Sequence, residues 1–189
     1  MSTDLIYKLY SDTRTVYNLQ EIAMLIDEPD AQKLKQRINY YVRTGKLKNP
    51  RKGIYAKENY SAEELACKVY KPSYLSLEYV LQKSGIVFQY DTRITNISYL
   101  SRTIAVGKNL FVYRKIKNDI LFNSSGIVMH DNGISMATPE RAFLDTLYLN
   151  KEYYVDTIQS LDKERIFSII PIFQSSQLEK RVQKRLKNA

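Results

Sequence analysis

One cysteine and one histidine leave this 189-residue chain short of the thiols and imidazoles on which much metal and covalent chemistry depends. The lone Cys67 excludes an internal disulfide and a cysteine zinc cage, and agrees with a reducing, cytoplasmic setting. No apolar run approaches the ~20 residues of a membrane span. The opening MSTDLIYKLYSD carries acids and lacks the apolar stretch of a secretory leader. There is no Gly-Ser pair, no Asp-X-Asp and no G-x-x-x-x-G-K-S/T, so neither a nucleotidyltransferase metal site nor a phosphate-cradling loop is present. His130 sits beside an Asp131-Asn132-Gly133 turn without companion ligands and reads as a turn residue. Cys67 reads as a small, half-buried packing residue on a helix. Glu140 and Asp145 are five residues apart, a spacing that does not favour one helical face, so cap and surface roles suffice. No catalytic residue, metal or cofactor is expected.

The most informative absence is local. Residues 31–57, AQKLKQRINYYVRTGKLKNPRKGIYAK, hold nine Lys and Arg and no acid. The 27 residues of the C-terminal end carry seven bases against two acids, whereas the first thirty residues are net acidic. Positive charge focused in this way attracts polyanions. A solvated helix face is the plainer alternative, and arrangement has to decide between them.

Leu5–Tyr10 has helical apolar spacing, and Thr15–Asn18 reads as extended. Asn18 is an N-cap for Leu19–Ile26, in which Ile22, Ala23, Leu25 and Ile26 mark a stripe. Asp27–Asp30 breaks that helix. Pro29 is expected in the first turn of the next one, with Asp30 complementing its dipole. That helix spans about Ala31–Thr44, with Leu34, Ile38, Tyr41 and Val42 facing inward. Lys33, Gln36, Arg37 and Tyr40 fall on the other side, flanked by Lys35 and Arg43, and Gly45 ends the helix. Two short strands, Lys46-Leu47-Lys48 and Gly53–Ala56, are expected about an Asn49-Pro50-Arg51-Lys52 turn. Helix, helix, break, longer helix and basic hairpin is the pattern of a winged helix-turn-helix. Its third helix fits a DNA major groove and its hairpin carries cations to phosphates. The candidate DNA-binding residues are therefore Lys33, Lys35, Gln36, Arg37, Tyr40, Arg43, Lys46, Lys48, Arg51 and Lys52.

A boundary is expected at about residues 57–61, dividing a domain of residues 1–57 from an α+β domain of residues 62–189. Ser61-Ala62-Glu63-Glu64 resembles a capping box, and Ser76 is a cap for a helix over Leu77–Ser84. Ile94–Ser98, Thr103–Val106 and Leu110–Ile116 read as strands, and Gly126–His130 with Ile134–Ala137 as a further pair. Thr138-Pro139-Glu140 opens a clear helix, followed by helices at about 153–169 and 174–187. Of the sixteen tyrosines, Tyr41, Tyr74, Tyr113 and Tyr148 sit at apolar positions and read as core. In the tail, Leu178, Val182 and Leu186 form a stripe opposite Lys180, Arg181, Lys184, Arg185 and Lys187. A solvated helix end is preferred there to a second nucleic-acid surface.

Three segments in order, RTGKLKNPRKGIYA, KPSYLSLEYVLQKSGIV and ISMATPERAFLDTLYL, resemble the AbiEi family of antitoxins over roughly residues 15–160. The resemblance implies an α+β protein of the type IV toxin–antitoxin class, acting in phage defence by abortive infection. It implies an N-terminal winged helix that represses its own operon by binding inverted repeats in double-stranded DNA, compatible with a solution monomer that pairs on DNA. It also implies a C-terminal domain that opposes a nucleotidyltransferase toxin without a stable complex. On that resemblance Lys33–Lys52 form the DNA surface, while Tyr74–Leu77 and Thr138–Arg141 are scaffold. A protein-interaction module without functional DNA binding and an RNA-binding regulator remain the alternatives.

Overall fold

Residues 5–187 are described by a computed structural model, which divides the chain into two compact units. The first runs to Val69 and includes residues 131–133; the second holds Tyr70–His130 and residues from Ile134 onward. Helices and strands mix in both, so the protein is α+β. Among the described residues no helix is long and apolar enough to cross a membrane. Of the opening stretch MSTDLIYKLYSD, read above as lacking a secretory leader, residues 1–4 lie outside the described residues.

The first unit runs α1 (Leu5–Ser11), β1 (Val16–Asn18), α2 (Leu19–Ile26), α3 (Ala31–Arg43), β2 (Lys48–Arg51), β3 (Ile54–Ala56) and α4 (Ala62–Val69). Asn18 caps α2 through a reciprocal box: its side chain accepts from the Glu21 amide, and Glu21 accepts from the Asn18 amide. Asp30 caps α3 by accepting from the amides of Gln32 and Lys33. Pro29 therefore lies outside the helix rather than in its first turn, because the cap position is taken by a residue that can accept. At the far end Gly45 adopts φ +75°, and its amide bonds to Val42. Leu5, Leu9, Tyr17, Ile22, Leu34, Ile38, Leu47 and Tyr55 form the core, with Tyr41 and Val42 packed partly against it.

The sheet of this unit is antiparallel, in the order β1-β3-β2. Its hairpin differs from the sequence expectation. The strand is Lys48–Arg51 rather than Lys46–Lys48, and the turn tightens to Lys52-Gly53, with Arg51 paired to Ile54 and Gly53 at φ +80°. Proline is tolerated in this strand because β2 is an edge and its register is irregular between Lys48 and Arg51. Asn49 ties the hairpin by donating to the carbonyls of Arg51 and Ile54.

Helix α4 belongs with this unit, so the division falls after Val69 and not at 57–61. The cause is Glu64. Ser61 does accept from the Glu64 amide, but the Glu64 carboxylate does not close the expected capping box. It accepts instead from the amides of Thr15, at 2.6 Å, and Val16, at 3.0 Å. On the same helix Lys68 reaches Glu21 at 2.7 Å, and Cys67 is fully buried rather than half-buried.

The second unit contains β4 (Ser73–Leu75), α5 (Glu78–Lys83), β5 (Ile94–Ser98), β6 (Arg102–Val106), β7 (Asn109–Lys115), α6 (Asn118–Leu121), β8 (Ile127–Met129), β9 (Ser135–Ala137), α7 (Pro139–Leu149), α8 (Lys163–Ile169) and α9 (Ser176–Lys187). The six strands form one mixed sheet ordered β6-β7-β5-β4-β9-β8. The β7–β5 and β4–β9 pairs are parallel and the others antiparallel. Thr138 and Pro139 start α7 as expected. The single helix expected over 153–169 is not formed. Asp156 and Thr157 donate their amides to the Ile86 carbonyl, which draws the chain away from a helical path, and α8 starts only where Asp162 caps it.

The centre of this unit is polar. Arg141 and Asp145 are both fully buried and bond at 3.1 Å. The other Arg141 donors reach the carbonyls of Ile120, Asn123 and Ser125 and the Tyr74 hydroxyl. All five guanidinium hydrogens are thereby used. Tyr74 and Ser76 in turn donate to Asp145. Burial pushes the Asp145 carboxyl above its usual range, against the pull of Arg141, Ser76 and Tyr74. Two sequence expectations are corrected. Ser76 does not cap α5, because its hydroxyl serves Asp145. Glu140 and Asp145 are buried rather than surface acids.

Candidate nucleic-acid interface

Helix α3 places its sequence-predicted residues as its periodicity requires. Leu34 and Ile38 point into the core, while Lys33, Lys35, Gln36, Tyr40 and Arg43 are exposed on the remaining faces. Past the helix, Lys46, Lys48 and Lys52 are also exposed; Arg37 and Arg51 are half-buried. Tyr40, 52% exposed, stands edge-on to Tyr41, and the Arg43 guanidinium lies 5.8 Å from its ring centre. Lys46 lies at the same distance over Tyr41, and its carbonyl accepts from Tyr10. These contacts bring the Arg43 guanidinium and the Lys46 ammonium, both on exposed residues, over aromatic rings.

The absence of acids within residues 31–57 does not make every cation unpaired. Glu28, from the break before α3, lies 3.5 Å from Lys33 and 3.6 Å from Arg37. Glu58 pairs with Lys48 at 2.8 Å, and that contact raises the Lys48 pKa. Lys57 turns inward, donating to the Asp12 carbonyl, and burial lowers its pKa. Among the described residues Lys35, Arg43, Lys46 and Lys52 have no ion pair with an acid. They leave uncompensated charge at the middle of α3, at its C-terminal end and at the hairpin tip.

Sequence reasoning missed the two acids that fold back on this surface, because each lies just outside the cation-rich stretch. It also missed the Arg141 cluster of the second unit. The signal for that was available: Arg141 and Asp145 stand at i, i+4, the spacing that makes neighbours on one helical face. A scan against models of protein families finds none that matches this chain, and a search of curated proteins likewise finds no match. The likeness to AbiEi antitoxins rests on the three segments quoted above.

Proposed function

We propose that the first unit is a winged helix-turn-helix that binds double-stranded DNA, and that the protein is an autorepressing antitoxin of the AbiEi kind. In this reading α3 enters the major groove and the β2–β3 hairpin is the wing. The observation that supports it is a division of labour within one short stretch. Leu34, Ile38 and Leu47 anchor α3 and the chain after it in the core, and Lys35, Arg43 and Lys46 between them face water. A basic surface on rigid elements meets phosphates at a lower ordering cost than a loose tail does. Gln36, Arg37 and Tyr40 would read base edges or flank them, and Lys35, Arg43, Lys46, Arg51 and Lys52 would neutralise phosphates. In the cell this is repression of the protein's own operon through inverted repeats. The second unit would oppose a nucleotidyltransferase toxin without holding it stably.

Gel shifts on the promoter region upstream of the coding sequence test the proposal. If about six cations reach phosphates, log affinity falls against log salt with a slope near −5. Arg51→Ala with Lys52→Ala should weaken binding to every sequence and flatten that slope by about 2. Gln36→Ala should instead change which sequence is preferred. Unchanged affinity in the Arg51/Lys52 variant removes the wing from the proposal. Rescue of cells from the downstream toxin should survive in that variant; its loss would tie antitoxicity to DNA binding.

A further inference from the structure

Strand β8 forms one edge of the six-stranded sheet, and it is an open edge. The amide of His130 and the carbonyl of Gly126 bond across to β9, and Val128 is paired with Met136. In an antiparallel ladder alternate residues face alternate sides. The Ile127 carbonyl and both backbone groups of Met129 therefore point away from β9. Val128 is 46% exposed and Met129 80% exposed, so side chains do not screen this edge with charge or bulk. The short, uncharged Ile-Val-Met edge lacks the lysine or proline with which solvent-facing edges are commonly protected.

Each face of that edge borders a groove. On the Val128 face lies a groove of about 350 Å³, floored by Val80, Val128, Met136 and Pro139. Its rim carries Lys83, His130 and Arg165. One buried carboxylate, Glu140, stands 3.9 Å behind Arg165, leaving the rim net positive. On the other face, Ile127 and Met129 border a groove of about 360 Å³ with Tyr74, Leu121 and Phe122. That groove carries no charged side chain. Ser73 is among its lining residues, with its hydroxyl buried and without a hydrogen-bond partner. One face of the edge thus presents apolar surface under cations, and the other uncharged, mainly apolar surface.

We propose that β8 is a docking edge for an extended segment of another protein, which adds a seventh strand with acids on one face and apolar side chains on the other. Backbone bonds to Ile127 and Met129 fix its register. Its period of two sends the acids toward Lys83, His130 and Arg165 and the apolar residues into the groove beside Tyr74 and Phe122. Charge selects this occupant over a second copy of the chain. Two copies paired at Val128 would bring both sets of Lys83 and Arg165 onto one face of a continuous sheet, in a protein of net charge +9. The inference concerns the second unit alone and stands whether or not the first binds DNA.

The test uses the full chain and a fluorescein-labelled peptide with the core Val-Glu-Val-Glu-Val, followed by anisotropy. Three controls accompany it: the same peptide N-methylated at alternate amides, a version with Lys in place of Glu, and the variant Met129→Pro. Proline at 129 deletes an outward-pointing amide that β9 does not use, so the sheet is retained; an unchanged thermal midpoint verifies this. Binding should weaken about tenfold in Met129→Pro and in the methylated peptide, the loss expected for one or two hydrogen bonds. The Lys peptide should bind more weakly than the Glu peptide by a margin that shrinks with salt. No binding of the Glu peptide at millimolar concentration overturns the proposal, as does equal binding of Met129→Pro and the parent. A dimer in sedimentation that Met129→Pro dissolves would overturn it in favour of self-pairing. Promoter affinity should be the same in Met129→Pro, so a failure here is distinct from a failure of the DNA reading.

Discussion

Replacing Arg141 with Met tests the polar centre of the second unit most directly. The substitution keeps most of the side-chain volume and removes five donors from a fully buried site. Breaking one partner of a buried pair costs about 3–5 kcal/mol, because the remaining charge has no solvent. Here that charge is Asp145, which would keep Tyr74 and Ser76 as donors. The Ile120 carbonyl would keep the Asn123 amide as a donor, and the carbonyls of Asn123 and Ser125 are near enough to the surface to take water. We expect a loss of about 4 kcal/mol and a fall in the thermal midpoint on the order of 10 °C. Adding Asp145→Leu should recover most of it, since replacing a whole buried pair by apolar groups is often near neutral. About 1–2 kcal/mol should remain lost, from the Tyr74 and Ser76 hydroxyls, which both donate to Asp145. Urea unfolding followed by far-ultraviolet circular dichroism and tyrosine near-ultraviolet signals measures both variants. A loss below about 1 kcal/mol for Arg141→Met would refute the reasoning, because it would mean that the five bonds carry no net stability.

Gly126→Ala should destabilise the same unit by at least about 2 kcal/mol in urea unfolding. The added Cβ would stand 2.8 Å from both Arg141 Cβ and Ile169 Cδ1, at a backbone φ of +73°; a neutral result would mean that α7 can shift freely. Glu28→Gln should raise promoter affinity about threefold by releasing Lys33 and Arg37, the scale of an exposed ion pair. Weaker binding would instead give Glu28 a part in positioning α3. The Arg14 side chain, by its hydrogen bonds, holds the Asp12 carboxyl below its usual pKa. A lowered folded pKa stabilises above the unfolded value, and that contribution disappears as pH falls through the folded value. Asp12→Asn should therefore be less stable than the parent at pH 7, and the gap should close as pH falls below the ordinary carboxylate range. A gap that stays constant from pH 7 to pH 2 would be incompatible with this pair.

Local chemistry was readable from the chain wherever a residue acts on its own neighbours. Asn18 caps α2, Gly45 ends α3 with a left-handed turn, and Thr138-Pro139 starts α7, because a cap needs only a side chain and amides two or three residues away. The inward face of α3 was legible for the same reason: Leu34 and Ile38 repeat at the helical period. The candidate DNA residues could be placed on that helix and hairpin, yet Glu28 and Glu58 were not seen to fold onto them. Nor did the residues around the turn specify the register of β2, because pairing partners and edge position decide where a proline can sit.

Tertiary structure alone decided which polar residues became interior. Ser61-Ala62-Glu63-Glu64 carries a capping signature, but the Glu64 carboxylate goes to Thr15 and Val16, amides about fifty residues away, and so draws α4 into the first unit. Ser76 looked like a helix cap and Asp145 like a surface acid until Arg141 brought both into one buried network. Periodicity records which way a side chain faces along its own element. It does not record what the chain places opposite, and for a buried charge the partner across that gap decides whether it can be buried at all.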